Sequence, residues 1–272
     1  MDEQNLSIRN FSLINSLLVI LNNHDENDTY FILAKYLLKH FDDLDELSIY
    51  DMADDCFVSR SSIHRFIKYI GFDNFTAMKH TFKETKIHYN AYISYATHTN
   101  FKKYVYESMN DMMKSINEMA ELQDLLKLAK MIHDSNCVVI VISNTSSSSA
   151  LEFQQGMIAI GKLVRIVTNS TPNLEILDSL TKDDLLITIS VTGNYAIAIG
   201  DDVRKVNAYK CLITLNHSMQ FEDYYNYIFY LSKKPRSSDH INHGLNNVYT
   251  RYGAGYFFDL LYNFYVEKYQ TK

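Results

Sequence analysis

Apolar positions recur at helical spacing through the first half of the chain and gather into short continuous runs in the second. Near the start, Phe11, Ile14, Leu17, Leu18 and Leu21 fall on one helical face. Similar periodicity predicts helices over 29–41, 48–55, 60–70, 74–87 and 117–135. Residues 88–117 are rich in Tyr and Met, are broken by "THTN" (97–100), and read as a connecting arm. From residue 136 the pattern changes. "NCVVIVIS" (136–143), "LVRIVT" (163–168), "DDLLITISV" (183–191), "YKCLITLN" (209–216) and "YNYIFYLS" (225–232) are β-branched apolar runs. Strands that are apolar on both faces suit a parallel sheet covered on both sides. Helix-like stretches at 147–160, 172–180 and 195–206 separate several of them, and 256–269 is a last helix, strongly apolar on one side. The expected architecture is an all-α domain followed by a doubly wound α/β domain.

The segment "IYDMADDCFVSRSSIHRFIK" (49–68) has a finer pattern. Met52, Ala53 and Cys56 are spaced to bury one face of a short helix, with Ala53 small enough for a close crossing. Phe57 and Val58 make a tight connection. Ser59 is an N-cap for the next helix. Ile63, Phe66, Ile67 and Ile70 form a buried stripe, and Gly71 fits the C-cap. This is the layout of a helix-turn-helix, whose second helix enters the major groove of DNA. Ser59, Arg60, Ser61, Ser62, His64, Arg65 and Lys68 are then the DNA-facing candidates, with arginine suited to the guanine edge. Phe57 stands where many such turns carry glycine, and is expected to pack as an apolar plug. His64 has no companion at metal-ligand spacing, so a groove contact or simple solvation is expected of it.

Charge sharpens that reading. The 272 residues carry a net charge of −6, which repels phosphate overall. Residues 59–86 hold Arg60, Arg65, Lys68, Lys79, Lys83 and Lys86 against Asp73 and Glu84, a local balance of +4 in a chain whose remainder is −10. A basic module attached to an acidic body points to nucleic acid at that end. The three cysteines, Cys56, Cys137 and Cys211, are far apart in apolar surroundings and form no CxxC pair. They read as buried thiols of a reducing cytoplasm, with neither a disulfide framework nor a zinc site. "FSLINSLLVIL" (11–21) is too short to span a bilayer and follows an acidic start, "MDEQN", unlike a signal peptide.

"LSIYDMADDCFVSRSSIHRFIKYIGFDNFTAMK" (47–79) resembles the N-terminal domain of RpiR-type bacterial transcription regulators, with Ser59, Ser62, Arg65-Phe66, Gly71-Phe72 and Phe75 at the positions of that family's pattern. The resemblance implies a C-terminal sugar isomerase (SIS) domain, a flavodoxin-like fold that binds phosphosugars. "ITISVTGNY" (187–195) resembles the SIS loop, a strand leading through hydroxyl residues and a glycine into a helix; Ser190, Thr192 and Gly193 fit it, and Asn194 beside them is a further effector-binding candidate. Tyr195 departs from it, standing at the third hydroxyl position. The first SIS loop is "SNTSSSSA" (143–150), with Ser143, Asn144, Ser146 and Ser147 as candidates; it lacks the family's usual glycines. Apart from the resemblance, backbone N–H groups at a helix start together with hydroxyls form an anion site.

The expected organisation is a DNA-binding domain at 1–86, an arm at 87–116 and an effector domain at 117–272. The expected function is a cytoplasmic DNA-binding regulator of carbohydrate metabolism, without cofactor or metal. Its partners would be double-stranded operator DNA, a phosphosugar effector and further copies of itself, as a homodimer or homotetramer. Isomerisation would need a general base. Glu152, Glu175, His240 and His243 are available, but none lies in a catalytic motif, so no catalytic residue is expected. A sugar-phosphate isomerase with an accessory helical domain is one alternative. A regulator whose SIS domain only dimerises is the other.

Overall fold

The computed structural model describes residues 13–44, 46–80, 93–119, 122–143, 146–168, 175–233 and 248–270. The chain divides into two compact units, Met1–Ile93 and Ser94–Lys272.

The first unit is helical: α1 (Leu13–Asn23), α2 (Thr29–Lys39), α3 (Ile49–Asp55) and α4 (Arg60–Tyr69), with 75–80 also helical. Three of the helices start on side-chain caps that satisfy otherwise orphaned amides: Asp28 accepts from Tyr30 N–H, Ser48 from Tyr50 N–H and Ser59 from Ser62 N–H. One apolar core joins them. Leu13, Leu17 and Ile20 of α1 pack with Leu33, Ala34 and Leu37 of α2, Met52 of α3, and Ile63, Phe66 and Ile67 of α4. The stripe of α1 is thus rotated from the expected one: Leu18 is exposed and Leu21 half-buried, while Leu13 and Ile20 face inward. Phe11 lies outside the described residues.

α3 and α4 end in the same way. Gly71, with φ 93°, follows α4; its N–H donates to Lys68 O and that of Phe72 to Ile67 O, both at 3.0 Å. This paired motif closes a helix through one left-handed residue. After α3, Phe57 N–H donates to Asp54 O and Val58 N–H to Ala53 O, and Phe57 itself takes the left-handed angle, φ 54°. Its ring is 96% exposed, so it does not plug the turn as expected. The backbone needs a glycine-like residue there, and the left-handed conformation turns the side chain out to solvent.

The second unit begins with α5 (Phe101–Met119) and α6 (Leu122–Asp134), and its strands are β1 (Val138–Ile142), β2 (Val164–Val167), β3 (Leu185–Ile189), β4 (Tyr209–Thr214) and β5 (Tyr227–Tyr230). All neighbouring strands pair in parallel, in the order β2-β1-β3-β4-β5. This is a flavodoxin-like doubly wound sheet. β1 and β3 are buried along their whole length, as their unbroken apolar runs require. On one face Val138, Ile140, Leu185, Ile187, Cys211 and Ile213 pack against α5, α6, α7 (Ser147–Ala159) and the last helix, α11 (Ala254–Tyr269). The intervening strand residues point the other way; the remaining helices of this unit are α8 (Glu175–Ser179), α9 (Asn194–Ala198) and α10 (Gly200–Lys205).

Met112 and Ile116 of α5 lie in the core of the second unit, so residues 94–116, expected as an arm, group with the α/β body. The break expected at 97–100 is present, with Asn100 at φ 57°. The three cysteines are free; Cys56 and Cys211 are buried and Cys137 is half-buried. Among the described residues no helix is long and apolar enough to cross a membrane, and no cluster of three or more His, Cys, Asp or Glu side chains could hold a metal ion.

Candidate functional site

Two regions gather the expected functional residues, one in each unit. In the first, α4 divides cleanly. Ile63, Phe66 and Ile67 are fully buried. Arg60, Ser61, His64, Arg65 and Lys68 are exposed, and at 100° per residue they fall on the opposite face. Ser59 spends its hydroxyl on the helix: Oγ accepts Ser62 N–H at 3.1 Å and lies 3.0 Å from Ser62 Oγ. Arg65 Nη2 reaches back to Ser62 Oγ at 3.4 Å. Ser59 and Ser62 therefore build and brace the face, and the exposed five present it. No acidic residue occupies the first turn of α4, so the positive end of the helix dipole and Arg60 reinforce each other. Arg60 Cζ sits 4.9 Å from the centre of the Tyr50 ring, a contact that apolar periodicity could not show. Lys79, counted with the basic patch, donates to Leu47 O at 3.0 Å. Lys83 and Lys86 lie outside the described residues.

In the second unit, both hydroxyl-rich loops leave the carboxyl ends of β1 and β3. These strands neighbour each other at the point where strand order reverses, the place where doubly wound sheets bind ligands. In the first loop Ser146 is buried, its N–H donating to Ser143 O at 3.1 Å and its Oγ to Thr250 O at 3.4 Å. That carbonyl belongs to a π-helical turn, Tyr249–Gly253, leading into α11. Ser143 and Ser147 are half-buried. Asn144 lies outside the described residues.

The second loop is held largely by itself. Ser190 Oγ accepts Ala196 N–H at 3.1 Å, and Thr192 Oγ1 accepts Asn194 N–H at 3.4 Å. Gly193 turns the chain at φ 84°. A Cβ there would stand 2.6 Å from Asn216 Nδ2, so glycine is required by space as well as by angle. Tyr195 is 2% exposed, and burial drives its phenol pKa up. Its ring counts among the buried side chains, so the phenol expected among the ligand residues is not exposed on the loop.

Asn216 was not anticipated from the pattern. It follows β4, donates through Nδ2 to Thr192 O at 3.1 Å and accepts Ser218 N–H at 2.9 Å, tying the β4 loop to the β3 loop. Next to it, His217 stacks on Tyr230 at 4.0 Å and its Nε2–H donates to Ser232 O at 2.9 Å, which fixes its tautomer. A polar residue directly after an apolar strand was the signal available for both.

Of the general-base candidates, Glu152 is exposed on α7. The side chain of Glu175, His240 and His243 lie outside what the structure describes.

Residues 15–86 match the helix-turn-helix domain of the rpiR family. No curated protein matches the chain. Among solved structures, the NanR protein of Vibrio vulnificus complexed with ManNAc-6P is 15% identical, covers 95% of this chain and 92% of its own, and has a TM-score of 0.48. The sugar isomerase domain of an RpiR transcription factor from Sphaerobacter thermophilus is 16% identical over 60% of this chain and 89% of its own, at 0.42. A putative sugar-phosphate isomerase from Listeria monocytogenes is 16% identical over 65% and 94%, at 0.48.

Proposed function

We propose that this chain, whose N-terminal unit carries a helix-turn-helix domain of the rpiR family, is a cytoplasmic transcription regulator of carbohydrate metabolism that senses a sugar phosphate. The observation that carries the reading is α4 itself: a capped helix with one apolar face locked into a core and Arg60, Ser61, His64, Arg65 and Lys68 on the other. Exposed arginines and a lysine supply phosphate and base-edge contacts, and the buried stripe fixes how they are aimed. Residues 1–86 read DNA and 117–272 sense the effector; 87–116 join them and include Met112 and Ile116 of the second unit's core. A two-fold operator is read by two copies, in a homodimer or homotetramer. The effector site is assigned to the switch-point loops, through Ser143, Asn144, Ser146, Ser147, Ser190, Thr192, Gly193 and Asn194. Their ligand shifts the population of DNA-binding geometries. The chain acts as a regulator and not as an isomerase.

The test is equilibrium binding of the full chain to duplexes selected from a randomised pool. Affinity falling linearly with log salt is expected, because phosphate contacts release counterions. Arg65→Ala is expected to abolish preference for the selected duplex while leaving thermal unfolding unchanged. Absence of any salt-dependent duplex binding would overturn the reading.

One observation favours a variant in which the α/β unit only dimerises. Ser190 and Thr192 already spend their hydroxyls on amides of their own loop. An operator response unchanged by Thr192→Val would support that variant.

A further inference from the structure

We propose that Tyr50 is a positioning residue of the DNA-reading face, its ring holding the Arg60 guanidinium where it grips a DNA phosphate. This rests on the reading of α4 as a recognition helix. Arg60 is the first residue of α4 and Tyr50 the second of α3. Ser48 caps α3 by accepting Tyr50 N–H at 3.0 Å, so the backbone under the ring is fixed. Met52 of α3, Cys56 at its C-cap, and Ile63 and Phe66 of α4 lock the pair into one core. The ring is 61% exposed, yet it is not idle surface: Arg60 Cζ lies 4.9 Å from its centre.

Electrostatics says why such a contact is useful. A cation at the first position of a helix meets the positive end of the dipole, and the first turn of α4 holds no acidic residue to neutralise it. Among the described residues Arg60 makes no ion pair. The negative face of an aromatic ring attracts the guanidinium without consuming its N–H donors, which lie in the guanidinium plane and remain available to a bidentate acceptor. Arg60 is thereby ordered and under-neutralised next to free helix-end positive charge. An anionic oxygen pair relieves both conditions, and on duplex DNA that is a backbone phosphate. A phosphate contact carries no sequence information, so Tyr50 governs affinity and salt response, not sequence preference.

The experiment measures dissociation constants of the full chain over a range of KCl, on a duplex selected by the wild type and on a random-sequence duplex. Tyr50→Ala is expected to weaken both by the same factor, about two- to five-fold, the size of a surface cation–π contact. Tyr50→Phe is expected to bind as wild type. Arg60→Ala is expected to weaken both duplexes and to lower the salt slope by about 1. Tyr50→Ala added to Arg60→Ala is expected to cost nothing further, a coupling that a merely structural role would not give. Full affinity in Tyr50→Ala, or an equal loss with and without Arg60, would overturn the inference, as would a change of sequence preference confined to one base pair in Arg60→Ala. If Tyr50→Ala unfolds, Tyr50→Leu, which keeps apolar cover but no π face, takes its place in the same cycle. Wild-type protein that binds no duplex sinks the regulator reading itself; wild-type binding with an indifferent Tyr50 sinks only this inference.

Discussion

Phe57 carries two burdens at once, a left-handed backbone angle of 54° and a ring that is 96% exposed. The angle costs a residue with a Cβ about 1–2 kcal/mol, and a ring so exposed has little packing to offset it. Glycine would remove that strain but would give back about 0.5–1 kcal/mol through the freer unfolded chain. Phe57→Gly is therefore expected to raise stability by up to ~1 kcal/mol, read as a higher urea midpoint at unchanged m-value. A lower midpoint would mean that the ring has a partner in the folded protein. Gly193 is the opposite case. It has φ 84° and no room, with Asn216 Nδ2 2.6 Å from where a Cβ would stand. Gly193→Ala is expected to displace Asn216 and open the link between the β3 and β4 loops, costing about 1–3 kcal/mol. Chemical denaturation checks the cost, and ligand screening checks the loop. Glycine at 193 was legible as part of a loop pattern. The need for Asn216 was not, because that contact joins residues whose neighbourhood only the sheet order creates.

At the scale of elements, the periodic segments were legible and their rotations and ends less so. α4 was readable to its cap because Ser59, the apolar stripe and Gly71 all agree. For α1 the sequence offered apolar residues on more than one side, and the core chose Leu13 and Ile20 over Leu18. The strands were readable because parallel strands buried on both faces leave long apolar runs. What holds their amino ends was hidden. Asp184, just before β3, is buried and accepts hydrogen bonds from Cys137 N–H at 2.9 Å, Thr181 N–H at 2.7 Å and Thr181 Oγ1 at 2.8 Å. Burial pushes its carboxyl pKa up, but those bonds outweigh burial and hold it below the usual 3.8. A carboxylate depressed in the folded state adds stability above its unfolded pKa, which is lost as pH falls through the folded value. Asp184→Asn is expected to cost about 2 kcal/mol at neutral pH and to flatten the fall in stability below pH ~4. Urea unfolding across that range checks both. Asp184 lies at the opposite end of β1 and β3 from the switch-point loops, so any DNA or ligand binding by the folded variant should be unchanged.

For the whole molecule, the proposed regulator carries a local charge of +4 at residues 59–86 within a chain of net −6, so DNA would be attracted to that segment and repelled by the acidic remainder. At the switch-point loops the hydroxyls would compete with any ligand: Ser190 Oγ already accepts Ala196 N–H, and Thr192 Oγ1 accepts Asn194 N–H. An incoming phosphate has to be worth more than the bonds it displaces, so binding should be selective for ligands that add contacts from the sugar. A thermal-shift screen of sugar phosphates against their unphosphorylated parents measures this directly, because a ligand bound only by the folded state raises the melting temperature by mass action. One phosphosugar is expected to stand out, with a shift that grows with concentration and is lost in Thr192→Val. That variant leaves the bond from Ala196 N–H to Ser190 Oγ intact, whereas Ser190→Ala would remove a hydrogen bond worth about 1 kcal/mol and lower the baseline by itself. A uniform lack of response across all sugar phosphates would mean that the self-satisfied loop is the resting state of a unit that only assembles the dimer. The DNA-reading helix would then work at fixed spacing, without a metabolite to move it.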